Sequence, residues 1–430
     1  MISIIIQNSV LNLRFKKHFY SLSSKTKRGG ENFVAGGDQV SETVINEICR
    51  IAGEAKLVLY EEDGIVQDAF FIATAPVRGF EKLVVGKNPL FAVEAVMRIC
   101  GLCHASHGIA ASEAIENAIG ITPPRNGLLM REAIGLINRV QSHILEFLMA
   151  AGDLLAKEKR NEVLFKLMEF HAKISDYLLK LGGAATHPPN LTIGGMLSVP
   201  KWSVFNNLKA RLPSLMKNWE ELRHLLTDED IQTEIADELR EKKVDSEYLA
   251  TGLFYGDRFN LEVKGIETTP YYEFRKENQH SKDSTTLVAF YRGHKVETGP
   301  RARMKLYRNF RDSSLYGLHL ARIEDTTLAL LRFEEILDGI KMDQPFRTEN
   351  IIFGPGKGVG VYEAPRGTLI HIVELGEEGR VMSLKIIVPT MFNIPIMEEM
   401  AKGLSVKAAE ASVRLYDPCI PCTTHVIKLG

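Results

Sequence analysis

The chain has no long apolar run. A membrane-spanning helix needs roughly eighteen or more consecutive apolar residues, and stretches such as Leu384–Val388 are only strand-sized. Nor is there an excess of one charge. Basic residues number 53 against 54 acidic, a net −1, so there is no basic field for nucleic acid or anionic lipid. Five cysteines in 430 residues are too few for a disulfide scaffold. Internal repeats and low-complexity linkers are missing as well, which excludes a solenoid or an appended module. What remains is an ordinary globular balance, 45% hydrophobic and 25% charged, able to bury a large core. Acid is also absent from residues 1–30, which hold Arg14, Lys16, Lys17, Lys25, Lys27 and Arg28 and are serine-rich from Ser21 to Ser24. Residues 1–40 are expected to be a basic, disordered extension, superficially like an organellar transit peptide.

From Cys49 to Ile72 apolar and polar residues alternate around Glu61-Glu62-Asp63-Gly64, which predicts an antiparallel hairpin. A loop follows over Thr74–Gly86. Helix is expected from Pro89 to Ile119, interrupted at the first C-x-x-C, until Pro123-Pro124 breaks the chain. Leu128–Leu181 is the most strongly helical stretch, proline-free with apolar residues at i, i+3, i+4 and i+7. It predicts two long antiparallel helices broken near Lys157–Asn161. A helical pair over Trp202–Leu239 and helices over Arg301–Ile340 and Ile396–Arg414 are expected. Strand and loop should fill Tyr248–Gly299, with strands at Leu369–Glu374 and Val381–Val388. Gly354-Pro355-Gly356-Lys357-Gly358 invites a phosphate-loop reading but lacks the Lys-[Ser/Thr] ending, so a plain loop is expected. The fold class is α+β, a bundle of long central helices with small peripheral antiparallel sheets.

Four cysteines fall in two C-x-x-C pairs, and Cys49, standing alone, is expected to be a buried hydrophobe. The first pair reads Arg98-Ile99-Cys100-Gly101-Leu102-Cys103-His104-Ala105-Ser106-His107. The second reads Asp417-Pro418-Cys419-Ile420-Pro421-Cys422-Thr423-Thr424-His425. Two intervening residues let both thiolates turn toward one ion, and two such pairs can complete a four-sulfur site. Gly101 and Pro418 suit the tight turns. Zinc fingers close their pairs within roughly twelve to twenty residues, whereas these pairs lie at opposite ends of the chain. The usual iron–sulfur spacings are absent, and a thioredoxin-like pair would lack its fold context. A zinc clip stays open. The residues alone establish a thiolate-rich site for a soft metal.

The motifs R-x-C-G-x-C-x-x-x-H early and D-P-C-x-x-C-x-x-H late resemble the two signatures of nickel–iron hydrogenase large subunits, matching at every fixed position. Arg78-Gly79-Phe80-Glu81 is similar to the family's R-G-x-E, and Gly299-Pro300-Arg301-Ala302-Arg303 to its G-P-x-A-R. Glu363-Ala364-Pro365-Arg366-Gly367 resembles E-A-P-R-G, and Val388-Pro389-Thr390 with Asn393 resembles V-P-[ST]-x-W-N. The resemblance runs from about Arg50 to His425. Its wording is closest to the archaeal group that reduces a deazaflavin coenzyme (F420) or feeds a disulfide reductase.

That resemblance implies the hydrogenase large-subunit fold over residues 41–425 and reversible heterolytic cleavage of dihydrogen. Nickel would be held by Cys100, Cys103, Cys419 and Cys422. Cys103 and Cys422 would bridge to an iron carrying carbonyl and cyanide ligands. Glu81 would relay the proton. Arg366 would sit over the open face, fixed by Asp417, while Thr390 would donate to a cyanide and His107 would hydrogen-bond near the metals. His425 would ligate a third ion, magnesium or iron. Implied partners are an iron–sulfur small subunit and a flavin-containing beta subunit in the cytoplasm. Residues 426–430 would be a short tail open to removal by a maturation protease. Two departures stand out. The family's R-x-E-G-H reads Arg50-Ile51-Ala52-Gly53-Glu54 here, and Ala52 cannot ligate the third ion, although Glu54, two residues on, would share its strand face. Phe392 stands for the motif's tryptophan. Two other readings are a non-catalytic scaffold subunit, whose homologues have lost the cysteines, and a structural zinc protein.

Overall fold

The computed structural model describes residues 41–424 and, for its backbone alone, the strand β1 (Thr26–Lys27). The rest of the expected extension, the 426–430 tail and His425 lie outside the described residues. β1 borders an antiparallel sheet in the order β1-β2-β3-β4, with β2 (Ser41–Ile45), β3 (Ala55–Glu62) and β4 (Ile65–Ala73). The expected hairpin is β3 and β4. It turns on Asp63 and Gly64, both at positive φ (51° and 79°), the two-residue turn whose twist suits flanking strands.

Helices supply most of the remainder. Ahead of the long bundle come α1 (Phe80–Leu83), α2 (Pro89–Met97) and α3 (His104–Ile119). The bundle contains α4 (Arg125–Leu154), α5 (Lys157–Gly182) and α6 (Trp202–Thr227), followed by α7 (Glu234–Glu241), α8 (Tyr271–Phe274), α9 (Pro300–Arg308) and α10 (Gly317–Gly339). The chain closes with α11 (Pro389–Ala401), α12 (Val406–Leu415) and α13 (Ile420–Thr423). Leu155, extended at φ −106° and ψ 135°, separates α4 from α5 two residues before the expected break.

The helical pair expected over Trp202–Leu239 is the long α6, which carries Pro213 inside it, and the short α7. Other expectations change. Arg301–Ile340 divides because Asn309 adopts a left-handed conformation (φ 53°) and ends α9. The last predicted helix starts earlier, at Pro389, where a missing N–H costs nothing, and it restarts after Gly403 with Ser405 capping α12 through the Ala408 N–H. Cys49 is half-exposed rather than core.

Short strands β5 (Leu191–Thr192), β6 (Gly195–Met196), β7 (Glu247–Leu249), β8 (Ile266–Pro270), β9 (Leu287–Tyr291) and β10 (Val296–Thr298) form small ribbons. β7 pairs with β10 in parallel, unlike the antiparallel pairing expected of every sheet. A three-stranded antiparallel sheet of β11 (Gly356–Ala364), β12 (Gly367–Leu375) and β13 (Val381–Ile387) lies on α3.

β11 begins in the glycine-rich stretch expected to be a loop, and its glycines are a packing device. A Cβ at Gly356, Gly358 or Gly360 would come 1.9, 2.0 or 1.9 Å from the carbonyl oxygens of Ala118, Ala114 and Ala110. Alternate strand residues step about 6.7 Å and every fourth helix residue about 6 Å, so the two stripes stay in register for two turns. The strand thereby touches the helix backbone itself. Gly358→Ala should force strand and helix apart and destabilise the protein by about 1–3 kcal/mol, the scale of core overpacking. Gly354→Ala, where a Cβ meets nothing within 4 Å, should be nearly neutral in the same chemical-denaturation comparison.

Candidate metal centre

The close packing of α3 on β11 fixes where the first cysteine pair sits, because α3 starts directly after Cys103. Leu102 N–H bonds the Cys100 Sγ at 3.2 Å, the turn in which a thiolate accepts from its own loop. Asn138 of α4 holds that turn, donating to Leu102 O (2.9 Å) and accepting from Ala105 N–H (3.2 Å). The second pair is held as firmly. Cys419 N–H bonds the Thr390 hydroxyl (3.0 Å) and Ile420 N–H bonds Ala52 O (2.9 Å). Gly53 is needed there: its φ is +96°, and a Cβ would lie 2.8 Å from Ile420 Cβ.

All four cysteines are buried, and their sulfurs lie within 4.8 Å of one another. Cys100 and Cys419 are 3.2 Å apart, Cys103 and Cys422 3.3 Å, and Cys419 and Cys422 3.0 Å. Hydrogen bonds from Cys103, Cys419 and Cys422 draw the Cys100 thiol well below its ordinary range, despite burial and with Arg366 assisting. Donation to Cys100 pushes Cys103 up, and burial does the same to Cys422. One thiolate is therefore stabilised at the expense of its neighbours, and full ionisation of the set needs a cation. The donor set fits one. Four sulfurs around an ion at about 2.3 Å suit a soft transition metal and not a hard cation.

Arg366 is the second residue of the two-residue turn between β11 and β12. It donates to Asp417 through Nη2 (to Oδ1, 2.7 Å) and Nε (to the backbone O, 2.7 Å), and through Nη1 to Ser142 Oγ at 3.3 Å. Burial would lower the guanidinium, but Asp417 and the sulfurs of Cys419, Cys103 and Cys100 hold it well above its usual range. It stays charged over the thiolates. Asp417 sits at φ 52°, a left-handed conformation uncommon outside glycine. His107 reaches Cys422 Sγ with Nε2 (3.5 Å) and His371 Nε2 with Nδ1 (3.1 Å).

The structure thus brings Cys100, Cys103, Cys419, Cys422, Arg366, Asp417, Thr390 and His107 together. Glu81 is half-buried on α1 and accepts the Ile386 N–H of β13 at 2.6 Å. Three residues earlier, Arg78 N–H bonds Thr424 O at 2.8 Å, which ties this segment to the chain's C-terminal end. Glu54 does not share a face with Ala52. Ala52 bridges to Cys419, Gly53 turns the chain out of extended geometry, and Glu54 is exposed.

Sequence reasoning missed the layer beneath. Asp325 of α10 gathers Arg139 (3.1 Å), Arg303 (2.6 Å) and His143 (2.9 Å). The two arginines then grip the turn that carries Arg366: Arg139 donates to Glu363 O, and Arg303 to Ala364 O and Pro365 O. Burial would raise the Asp325 carboxyl, but Arg303, Arg139 and His143 hold it well below the usual range. His143, lowered by burial to about 3, is neutral. Arg303 belonged to a recognised motif. Asp325, Asn138 and His371 had no local signal, since each acts across more than twenty positions of chain.

Comparison with known proteins agrees with this geometry. The sequence model of the nickel-dependent hydrogenases matches residues 78–153. The alpha subunit of coenzyme F420 hydrogenase from Methanocaldococcus jannaschii is 36% identical over 408 residues, 92% of this chain and 95% of that one. Its counterpart from Methanothermobacter thermautotrophicus is 30% identical, with 89% and 95% covered. The sulfhydrogenase 1 alpha subunit of Pyrococcus furiosus is 27% identical, with 90% and 98% covered. Among solved structures, the Ni-Fe-Se hydrogenase of D. vulgaris Hildenborough superposes with a TM-score of 0.78 at 23% identity, over 90% of this chain and 100% of that one.

Asp325→Asn leaves two buried guanidiniums short of their counter-charge and should cost about 3–5 kcal/mol in denaturant unfolding. Because the Asp325 carboxyl is depressed in the folded state, its contribution is fully present above the ordinary carboxylate range and is lost as pH falls below it. The stability gap between wild type and variant should therefore shrink on acidification below about pH 4.

Proposed function

The chain belongs to the nickel-dependent hydrogenases as a large, catalytic subunit, and from that membership we propose that it passes the electrons of dihydrogen to an iron–sulfur small subunit and on to the deazaflavin coenzyme F420. The observation that carries the reading is the buried four-sulfur cluster, with nickel and iron as the metals of the family. Two relatives at 30% identity or more bear the coenzyme F420 hydrogenase name, which favours that acceptor and, with it, a flavin-containing beta subunit and a cytoplasmic setting. No helix among the described residues is long and apolar enough to cross a membrane.

Cys100, Cys103, Cys419 and Cys422 would hold a nickel–iron pair, which would supply heterolytic dihydrogen cleavage. The chain's own groups then have distinct tasks. Arg366, charged and clamped by Asp417, holds positive potential over the sulfurs without needing to reorganise. Thr390 accepts the Cys419 N–H, and its hydroxyl would donate to a cyanide. His107 supports Cys422 and takes its orientation from His371. Leu83, Val85, Leu90 and Phe91 are exposed beside the segment leading into the first pair. Leu90 also lines a hollow of about 730 Å³ with Leu197, Val199 and Ile351, a surface of the kind that seats a partner subunit.

By resemblance Glu81 accepts a proton and is not a metal ligand: Glu81→Gln should keep its nickel and iron while exchange of protons with solvent, per nickel, slows. We further propose residues 1–40 as an extension to the 41–425 body, and removal of 426–430 on maturation; the mass of the active chain tests the latter by ending, or not, at His425.

Protein matured in a hydrogenase-producing host should contain about one nickel per chain together with iron, and Cys422→Ser should lose both. Zinc without nickel in the wild type would overturn the reading. Under dihydrogen the purified complex should reduce F420; reduction of viologen dyes alone would remove F420 while leaving the hydrogenase assignment intact.

A further inference from the structure

Helix α5 packs one face inward and leaves the other bare. Val163, Leu167, Phe170 and Ile174 are buried on the core side. On the opposite side Phe165 and Met168, 59% and 53% exposed, join the exposed Ala172 at positions i, i+3 and i+7. That spacing makes one continuous stripe along the helix. Single exposed apolar residues are ordinary, but two large ones adjoining on one stripe form a contact surface.

The charges beside the stripe indicate what covers it. Glu162, Lys166, Glu169 and Lys173, alternating in sign, run along one flank. Glu162 accepts Lys159 at 3.3 Å and lies 3.9 Å from Lys166. Glu169 and Lys173 are both exposed and have no ion-pair partner among the described residues. In an antiparallel pair of α5 helices, related by a two-fold axis between Leu167 and Met168, each flank stays on its own side and runs in reverse. Glu162 then faces the second copy's Lys173, and Lys166 faces the second copy's Glu169. Every facing pair along this flank is opposite in sign. The same register drops Phe165 between the second copy's Met168 and Ala172 and sets Met168 against itself. A parallel pair would instead set each charge against its own like.

We propose that this face of α5 is a self-contact, through which two copies of the chain pair antiparallel by Phe165, Met168 and Ala172. The pairing holds whichever metal the sulfurs bind. It also leaves the small-subunit surface free. Gly182, the end of α5 joined to that surface through Asn190 and Leu197, lies about 20 Å along the helix from the axis. The matched stretch from Glu162 to Lys173 is only about 18 Å long, short for a specific interface. The pair should therefore be reversible and separate on dilution.

The test uses the whole purified complex with its partner subunits. The background is Cys49→Ser, which removes the one cysteine outside the buried four. There Met168→Cys should close a disulfide between two copies under mild oxidation, read as a doubled chain on a non-reducing gel. Opposed Cα atoms within about 7 Å allow that bond. Asn161→Cys is also exposed, but its two copies would lie about 20 Å apart along the helices and should give none. Adding Glu169→Lys to Met168→Cys sets like charges opposite each other and should cut the cross-linking yield about tenfold. Adding Lys166→Glu as well restores opposite signs and should recover the yield. The absence of a Met168→Cys dimer would overturn the proposal, as would a bond to a different subunit in its place. Equal cross-linking at Asn161→Cys, or a yield indifferent to Glu169→Lys, would overturn it too.

Discussion

Four cysteine sulfurs within 4.8 Å of one another, all buried, set the terms for the rest of this structure. Thiolates that close repel, and burial removes the water that would screen them. The protein alone relieves this only in part, by ionising Cys100 and keeping its neighbours as donors. A soft cation relieves it fully. The scaffold must then hold the sulfurs together before the ion arrives, and it does so by gripping the backbone of the two turns: the Asn138 side chain on the first, the Thr390 hydroxyl and Ala52 O on the second. Asp417, strained at φ 52°, persists because Arg366 grips both its side chain and its carbonyl.

Helix α4 is the spine of this arrangement. Within nine residues it supplies Asn138 to the first cysteine turn, Arg139 and His143 to the Asp325 cluster, Ser142 to Arg366 and Glu146 to Arg322. Such a concentration of buried polarity is costly for stability. Its return is rigidity, because each aligned bond removes a rotamer choice at the site. The turn carrying Arg366 shows the logic. Its three preceding carbonyls are held by two arginines whose charges meet on one aspartate, so Arg366 cannot swing away from the sulfurs without breaking a buried cluster.

Much of the site could be read from the chain because its chemistry is local. A C-x-x-C turn, a glycine at positive φ and a proline opening a helix each follow from a few adjacent residues. The long helices α4 and α5 were legible for the same reason, their periodicity being strong over many turns. Errors arose where distant contacts outweighed local preference. The glycine stretch at 354–358 read as a loop because it offered only an incomplete phosphate-loop pattern, yet Gly356, Gly358 and Gly360 are strand residues whose missing side chains let α3 approach. Glu54 was placed beside Ala52 by strand alternation, which Gly53 breaks.

Sequence by itself determined the ligand set, the soft character of the metal and the two turns that aim the sulfurs, since these depend on residue type and short spacing. It also carried the wording that joins the chain to its family. Only the tertiary structure decided which groups surround those sulfurs. Asp325, His371, Asn138 and Glu146 have no motif, because what they do depends on helices and strands far apart in the chain packing face to face.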